Sequence, residues 1–208
     1  IGIKRHACLI MLHSAVDALL AYRAETDGDP ADMVDRIERI EIGVSESVFK
    51  RTSWRMEPPG TSLGSQMNLH YASAVALLDG GVYVEQFSPA SLARPEIWEL
   101  MERIDVVHSD EIDRLGRDRR FVTNLAIHTR GGNVDHLVGT PPQDRAFENA
   151  DVVTKYRGLV DGLITSERRN AIESFVLTAA GDHDVNDLVQ LLAADVEPAF
   201  AHSGEVEA

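Results

Sequence analysis

The stretch from about Ser65 to Leu78 is small and apolar on nearly every side, and it constrains the fold more than any other part of the chain. A helix on the surface carries one apolar stripe, whereas a helix apolar all round must be covered on most sides. Asp79-Gly80-Gly81 supplies the stop. The chain must therefore wrap other elements around this helix. At 208 residues it is long enough to do so.

The surrounding pattern supplies those elements. Ser14 with Asp17 three residues on reads as a capping box that opens a helix, with Val16, Leu19, Leu20 and Tyr22 as its apolar face and Asp27-Gly28-Asp29-Pro30 as its end. Ile40, Ile42 and Val44 alternate with Glu41 and Gly43 as in a half-buried strand. Residues 52–65, with Pro58, Pro59, Gly60 and Gly64, read as a loop. A helix over Pro95 to Glu102 and a strand over Ile104 to His108 follow. Two alternating strands, Phe121 to Thr129 and Val134 to Val138, are joined through Gly131-Gly132. After Pro141-Pro142 only helical periodicity remains: Val152, Tyr156, Leu159, Val160 and Leu163, then Ile172, Phe175, Val176 and Ala179 up to Gly181. Asp184 and Asp187 open a last helix, and the tail from His202 is expected to fray. The prediction is an α+β fold: a small, mostly antiparallel sheet with flanking helices over residues 1–142, then an all-α segment over 143–208. Three amphipathic helices without a sheet must cover the preceding sheet or dock on another domain.

Charge and cysteine usage narrow the function classes. The formal net charge of −14 argues against nucleic acid, which needs a basic surface. Arg130-Gly131-Gly132 occurs once, in the expected hairpin turn. No apolar run approaches the ~18 residues of a membrane span, and no signal peptide is evident, so no membrane partner is expected. A single cysteine, Cys8, fits a reducing compartment, and the cytoplasm is the expected location. The chain begins Ile1-Gly2 without methionine, as a fragment or processed product would.

Three residues stand out for chemistry. With Ser14 as N-cap, His13 would lie just outside the positive end of a helix, where the field disfavours imidazolium and leaves a neutral base. Lys4, nine residues earlier, is placed to neutralise a carboxylate or an enolate-like oxygen, with Arg5 beside it. Tyr71, near the start of the apolar helix, offers a hydroxyl as proton donor. Each has a plain alternative: a solvated capping neighbour, a surface cation and a core tyrosine.

In order along the chain, Lys4-Arg5-His6, His13 with Ala15-Val16-Asp17-Ala18, and Asn68-Leu69-His70-Tyr71 running to Leu77-Leu78-Asp79-Gly80 resemble the MmgE/PrpD family. Lys155-Tyr156-Arg157-Gly158-Leu159 is a weaker match to the family's closing helices. The family includes 2-methylcitrate dehydratase and cis-aconitate decarboxylase. The resemblance implies a C-terminal lid domain with returning helices, a small di- or tricarboxylate as substrate, no cofactor, and a homo-oligomer or docking on a preceding helical domain that carries further acid–base residues. It gives Lys4 and Arg5 to substrate binding, and Lys4, His13 and Tyr71 to catalysis. Leu9 stands where the decarboxylase branch has a histidine, Gln66 where a basic residue is frequent, and Asn68 where a serine is usual. What is implied is therefore the broader class of lyase or isomerase: dehydration, decarboxylation or epimerisation beside a carboxylate. The isolated chain is expected to be incomplete as a catalyst. The alternative is a non-catalytic module that binds a small acid or a protein.

Other motifs compete less well. Gly60-Thr61-Ser62-Leu63-Gly64 has the spacing of a nucleophile elbow, but no strand pattern precedes it. Asp182-His183-Asp184 begins like a calcium loop, yet Asp187 and Ala193 occupy the positions of the required glycine and glutamate. His108-Ser109-Asp110 lacks a partner set, so no metal is predicted. Cys8 beside Lys4 and Arg5 reads as a buried structural thiol.

Overall fold

In a computed structural model, residues 3–26, 29–144, 146, 148–178 and 184–196 are described. Ile1-Gly2, Gly28, the expected stop at Gly181, Asp182-His183 and the tail from His202 lie outside them. The chain divides into two compact units, Ile1–Ala146 and Phe147–Ala208.

The first unit begins with α1 (His13–Glu25) and α2 (Pro30–Arg36), which leads directly into β1 (Ile37–Val44). Short helices α3 (Glu46–Thr52) and α4 (Ser62–Met67) precede α5 (Leu69–Asp79). After α6 (Pro89–Leu92) and α7 (Pro95–Met101) comes β2 (Ile104–His108), then α8 (Asp110–Arg114). The hairpin of β3 (Thr123–Thr129) and β4 (Val134–Gly139) completes a four-stranded sheet of order β2-β1-β3-β4. β1 pairs parallel with β2, Ile42 opposite Val106, and antiparallel with β3, where Ile42 faces Leu125. β3 and β4 are antiparallel, and their register ends on Thr123 opposite Gly139. The alternation along β1 is the cause: Ile37, Ile40, Ile42 and Val44 are all fully buried.

α5 fills the position its composition demands. Leu69, Tyr71, Ala72, Ser73, Ala74, Val75, Ala76 and Leu77 are all buried, and it packs against α1, α2, α4, α7 and β2. Its C-terminus is closed twice. Gly80 turns left-handed with φ 70°, and Arg23 of α1 donates to the carbonyls of Leu77 (2.8 Å) and Leu78 (3.4 Å). The single apolar helix expected from Ser65 to Leu78 is in fact two. Asn68 breaks it in extended geometry, its Oδ1 capping Tyr71 N–H at 3.1 Å and its Nδ2 donating to Trp54 O at 2.7 Å.

β4 closes against α1 at Gly139. A Cβ there would fall on the backbone carbonyl of Ser14 and on Thr123 Oγ1. Backbone inside a helix cannot yield to it, so Gly139→Ala is expected to destabilise the unit by about 1–3 kcal/mol. A lowered urea midpoint at unchanged m-value would show this; an unchanged midpoint would mean that β4 is free to move off α1.

The second unit contains α9 (Asn149–Val160), α10 (Ser166–Leu177) and α11 (Val185–Ala193). Arg157 of α9 grips Glu173 of α10 with two bonds of 2.8 Å. Arg168 of α10 donates to the carbonyls of Leu191, Ala194 and Asp195, closing the end of α11. Asp184 caps α11 as its sequence position predicts, accepting from Asn186 N–H.

Candidate active site

The segment before α1 is tied down by backbone bonds at both sides. Ala7 N–H donates to Val82 O and Leu9 N–H to Gln66 O, each at 2.9 Å. A 3-10 turn, Ile10–Leu12, then runs without interruption into α1. This changes the expected helix start. Leu12 is the N-cap, in helical geometry and without a side-chain bond, and His13 is the first helical residue. Because the turn upstream already continues the helical path, Ser14 lies inside the first turn, and its buried Oγ has no hydrogen-bond partner. The expected Ser14–Asp17 capping box is not formed.

Asp17 faces back along the incoming segment instead. Its Oδ1 accepts from His6 Nε2 at 2.9 Å and its Oδ2 lies 3.7 Å from Arg5 Nη1. His6 and His13 are 4% and 1% exposed, and their rings meet edge to face at 5.0 Å. The Cys8 backbone hydrogen-bonds the His13 ring. His13 Nε2 has no partner, so that bond runs from Nδ1–H to the Cys8 carbonyl, leaving Nε2 with a lone pair in the neutral ring. Burial above all, then the neighbouring His6, lowers the His13 pKa to about 4. The neutral imidazole at His13 thus arises from desolvation and a second imidazole rather than from a position beyond the helix end.

Lys4 is exposed, and its charge is felt at both Cys8 and His13. Burial nevertheless pushes the Cys8 thiol up to about 12, so it is not a thiolate nucleophile. Lys4, Arg5 and His13 therefore share one locality with His6 and Asp17, two residues that the sequence patterns did not single out for chemistry.

Tyr71 is placed differently. Its side chain is fully buried, and its hydroxyl donates to Gln86 O at 2.8 Å. Its ring lies 5.9 Å from that of Phe87 and 6.0 Å, edge to face, from that of Trp98. Burial raises its pKa to about 12. The hydroxyl is thus engaged in anchoring the segment after α5.

The competing motifs resolve simply. Ser62 opens α4, whose cap is Thr61 accepting from Gly64 N–H, and residues 53–60 form no strand. His108, Asp110 and Asp113 are the one group among the described residues with three possible metal ligands in mutual reach. All three are exposed, and His108 bonds Asp113 at 2.6 Å at the acidic start of α8. No helix among the described residues is long and apolar enough to cross a membrane.

The first unit thus gathers a lysine, an arginine and a buried histidine just before and at the start of one helix. The sequence profile of the MmgE/PrpD C-terminal domain matches residues 6–180, and the chain belongs to that family. It is 32% identical over 201 residues to the cis-aconitate decarboxylase-like protein oryM of Aspergillus oryzae, covering 94% of this chain and 41% of that protein. Two proteins of Aspergillus terreus, each named cis-aconitate decarboxylase, are 28% and 26% identical over 95% of this chain and 41% of their own length. The chain thus spans about two fifths of these relatives.

Proposed function

We propose that this chain is the C-terminal portion of a lyase or isomerase acting on small di- or tricarboxylates. The observation that carries the reading is His13: a buried imidazole, neutral above about pH 4, with an unpartnered Nε2 close to the charges of Lys4 and Arg5. In a chain of net charge −14, a polyanion needs such a local reversal of field to approach at all.

Lys4 and Arg5 bind the substrate carboxylates, and Lys4 offsets charge that develops on an adjacent enolate-like oxygen. His13 Nε2 takes a proton from the carbon beside the carboxylate. With so low a pKa the imidazole is unprotonated at neutral pH and so available to accept, as a weaker base than an ordinary histidine. Dehydration and epimerisation begin with that abstraction, whereas decarboxylation releases carbon dioxide and needs a donor for the carbon left behind. His13 therefore supports the abstraction chemistries most directly, and the names of the Aspergillus relatives support the decarboxylation branch. Tyr71 serves as a support of α5 and the segment after it rather than as donor. Further acid–base groups come from the part of the relatives that this chain does not span.

Calorimetric titration with citrate tests the reading. Binding is expected that weakens more than about tenfold, a loss of ~1.4 kcal/mol, in Lys4→Ala. The same titration should be unchanged in Lys50→Ala, which removes an exposed lysine paired with Glu46. Heat that appears only with a protein partner would favour the non-catalytic module. Equal loss in both variants would reduce the binding to a bulk charge effect.

A further inference from the structure

Two buried imidazoles stand together here, and the proposed chemistry uses only one of them. His6 Nε2–H is directed at Asp17 Oδ1, which leaves Nδ1 of the neutral ring as an acceptor. That Nδ1 is buried and has no hydrogen-bond partner, as is His13 Nε2. With the rings only 5.0 Å apart, each orphaned acceptor belongs to a ring packed on the other. A buried acceptor with no donor is costly, and a proton placed on it would leave a buried N–H without an acceptor and a buried charge in its stead. Two protons would place two imidazolium rings edge to face in a site from which water is largely excluded.

We infer that His6 is a positioning residue for His13: anchored by Asp17, it fixes the orientation of the second imidazole and couples to it electrostatically. Asp17, itself paired with Arg5, holds the His6 ring through Nε2. Burial above all, and then the neighbouring ring, leave His13 Nε2 unprotonated over the neutral range. The other charges facing the pair act in the same sense or weakly. Lys4 disfavours a proton on His13, Asp17 favours one, and the Cys8 thiol is neutral. The order Asp17, His6, His13 follows from the fold, because the 3-10 turn at Ile10–Leu12 folds His6 back over the first turn of α1.

The inference rests on the reading of His13 as a base, but its test does not need substrate. The probe is carbon-detected NMR of the two imidazole rings of this chain through a pH titration. In the wild type the resonances of each ring are expected to sense the titration of the other, giving two linked midpoints. His6→Phe keeps an aromatic ring and removes the proton, and is expected to raise the His13 midpoint by about half a pH unit or more, while burial keeps it below the ordinary histidine value. Asp17→Asn is expected to act with the opposite sign, lowering the His13 midpoint, because the Asp17 charge favours a proton there. A purely structural role for His6 would not produce shifts of opposite sign. Independent single-site curves for the two rings in the wild type would overturn the coupling, whatever the variants do. A His13 midpoint unchanged in a folded His6→Phe protein would overturn it as well. Failure of citrate binding, in contrast, would remove the proposed function and leave the coupling standing.

Discussion

Replacing Tyr71 by phenylalanine is expected to lower the stability of the first unit by about 1–3 kcal/mol, and replacing it by alanine by about 3–5 kcal/mol. The two numbers have different origins. Phenylalanine keeps the ring between Phe87 and Trp98, so packing survives and only the hydroxyl's bond to the Gln86 carbonyl is lost. Alanine also empties a fully buried site in the most enclosed helix of the unit. Gln86 is held from two directions, its carbonyl by Tyr71 and its Oε1 by Tyr83 N–H at 2.9 Å. Loss of the first bond should therefore loosen the segment after α5, to which Ala7 is also bonded through Val82. Urea titration reads both variants, with the midpoint falling and the m-value unchanged. The opposite pattern, an unchanged midpoint for Tyr71→Phe with loss of turnover in an enzyme carrying this unit, would return the hydroxyl to the proton-transfer set.

The contrast between Tyr71 and His13 shows what a sequence carries and what it does not. Composition alone located α5, because a run of small apolar residues has few ways to be solvated. It did not show the break at Asn68, although the short amide there was the signal: a buried amide needs partners, and capping Tyr71 N–H supplies one. Alternation likewise marked β1 and β3, since period-two burial is a local property, whereas β4 is exposed along most of its length. The parallel pairing of β1 with β2 depends on the crossover through α3 to α7, which no local pattern encodes. His6 was invisible for a related reason. It is eleven residues from Asp17, and the spacing has meaning only once the 3-10 turn folds the segment back. The Ser14–Asp17 spacing pointed to a capping box, and the fold assigned the same carboxylate to Arg5 and His6 instead.

Acidification should destabilise this unit through His13 before its carboxylates become decisive. A histidine that titrates near 6.5 in the unfolded chain and near 4 in the folded one is protonated first in the unfolded state. Between those two values the unfolded chain binds more protons, so stability rises with pH across the window. The contribution is complete above about pH 6.5 and is lost as the pH falls through 4, a change of about 3 kcal/mol. That is a large share of a typical domain stability of ~5–15 kcal/mol. His70, also lowered by burial, adds in the same direction. His108 acts oppositely, because Asp113 raises its pKa, but the pair is exposed and solvent screens it. His13→Asn isolates the effect: its amide keeps a donor for the Cys8 carbonyl and cannot take up the proton. The difference in unfolding free energy between pH 7 and pH 4 is expected to shrink by about 3 kcal/mol in this variant. Parallel stability curves for wild type and variant would mean that His13 is solvated in solution. The desolvation that keeps its ring neutral, on which the proposed role as a base rests, would then be absent too, since both consequences follow from the same burial.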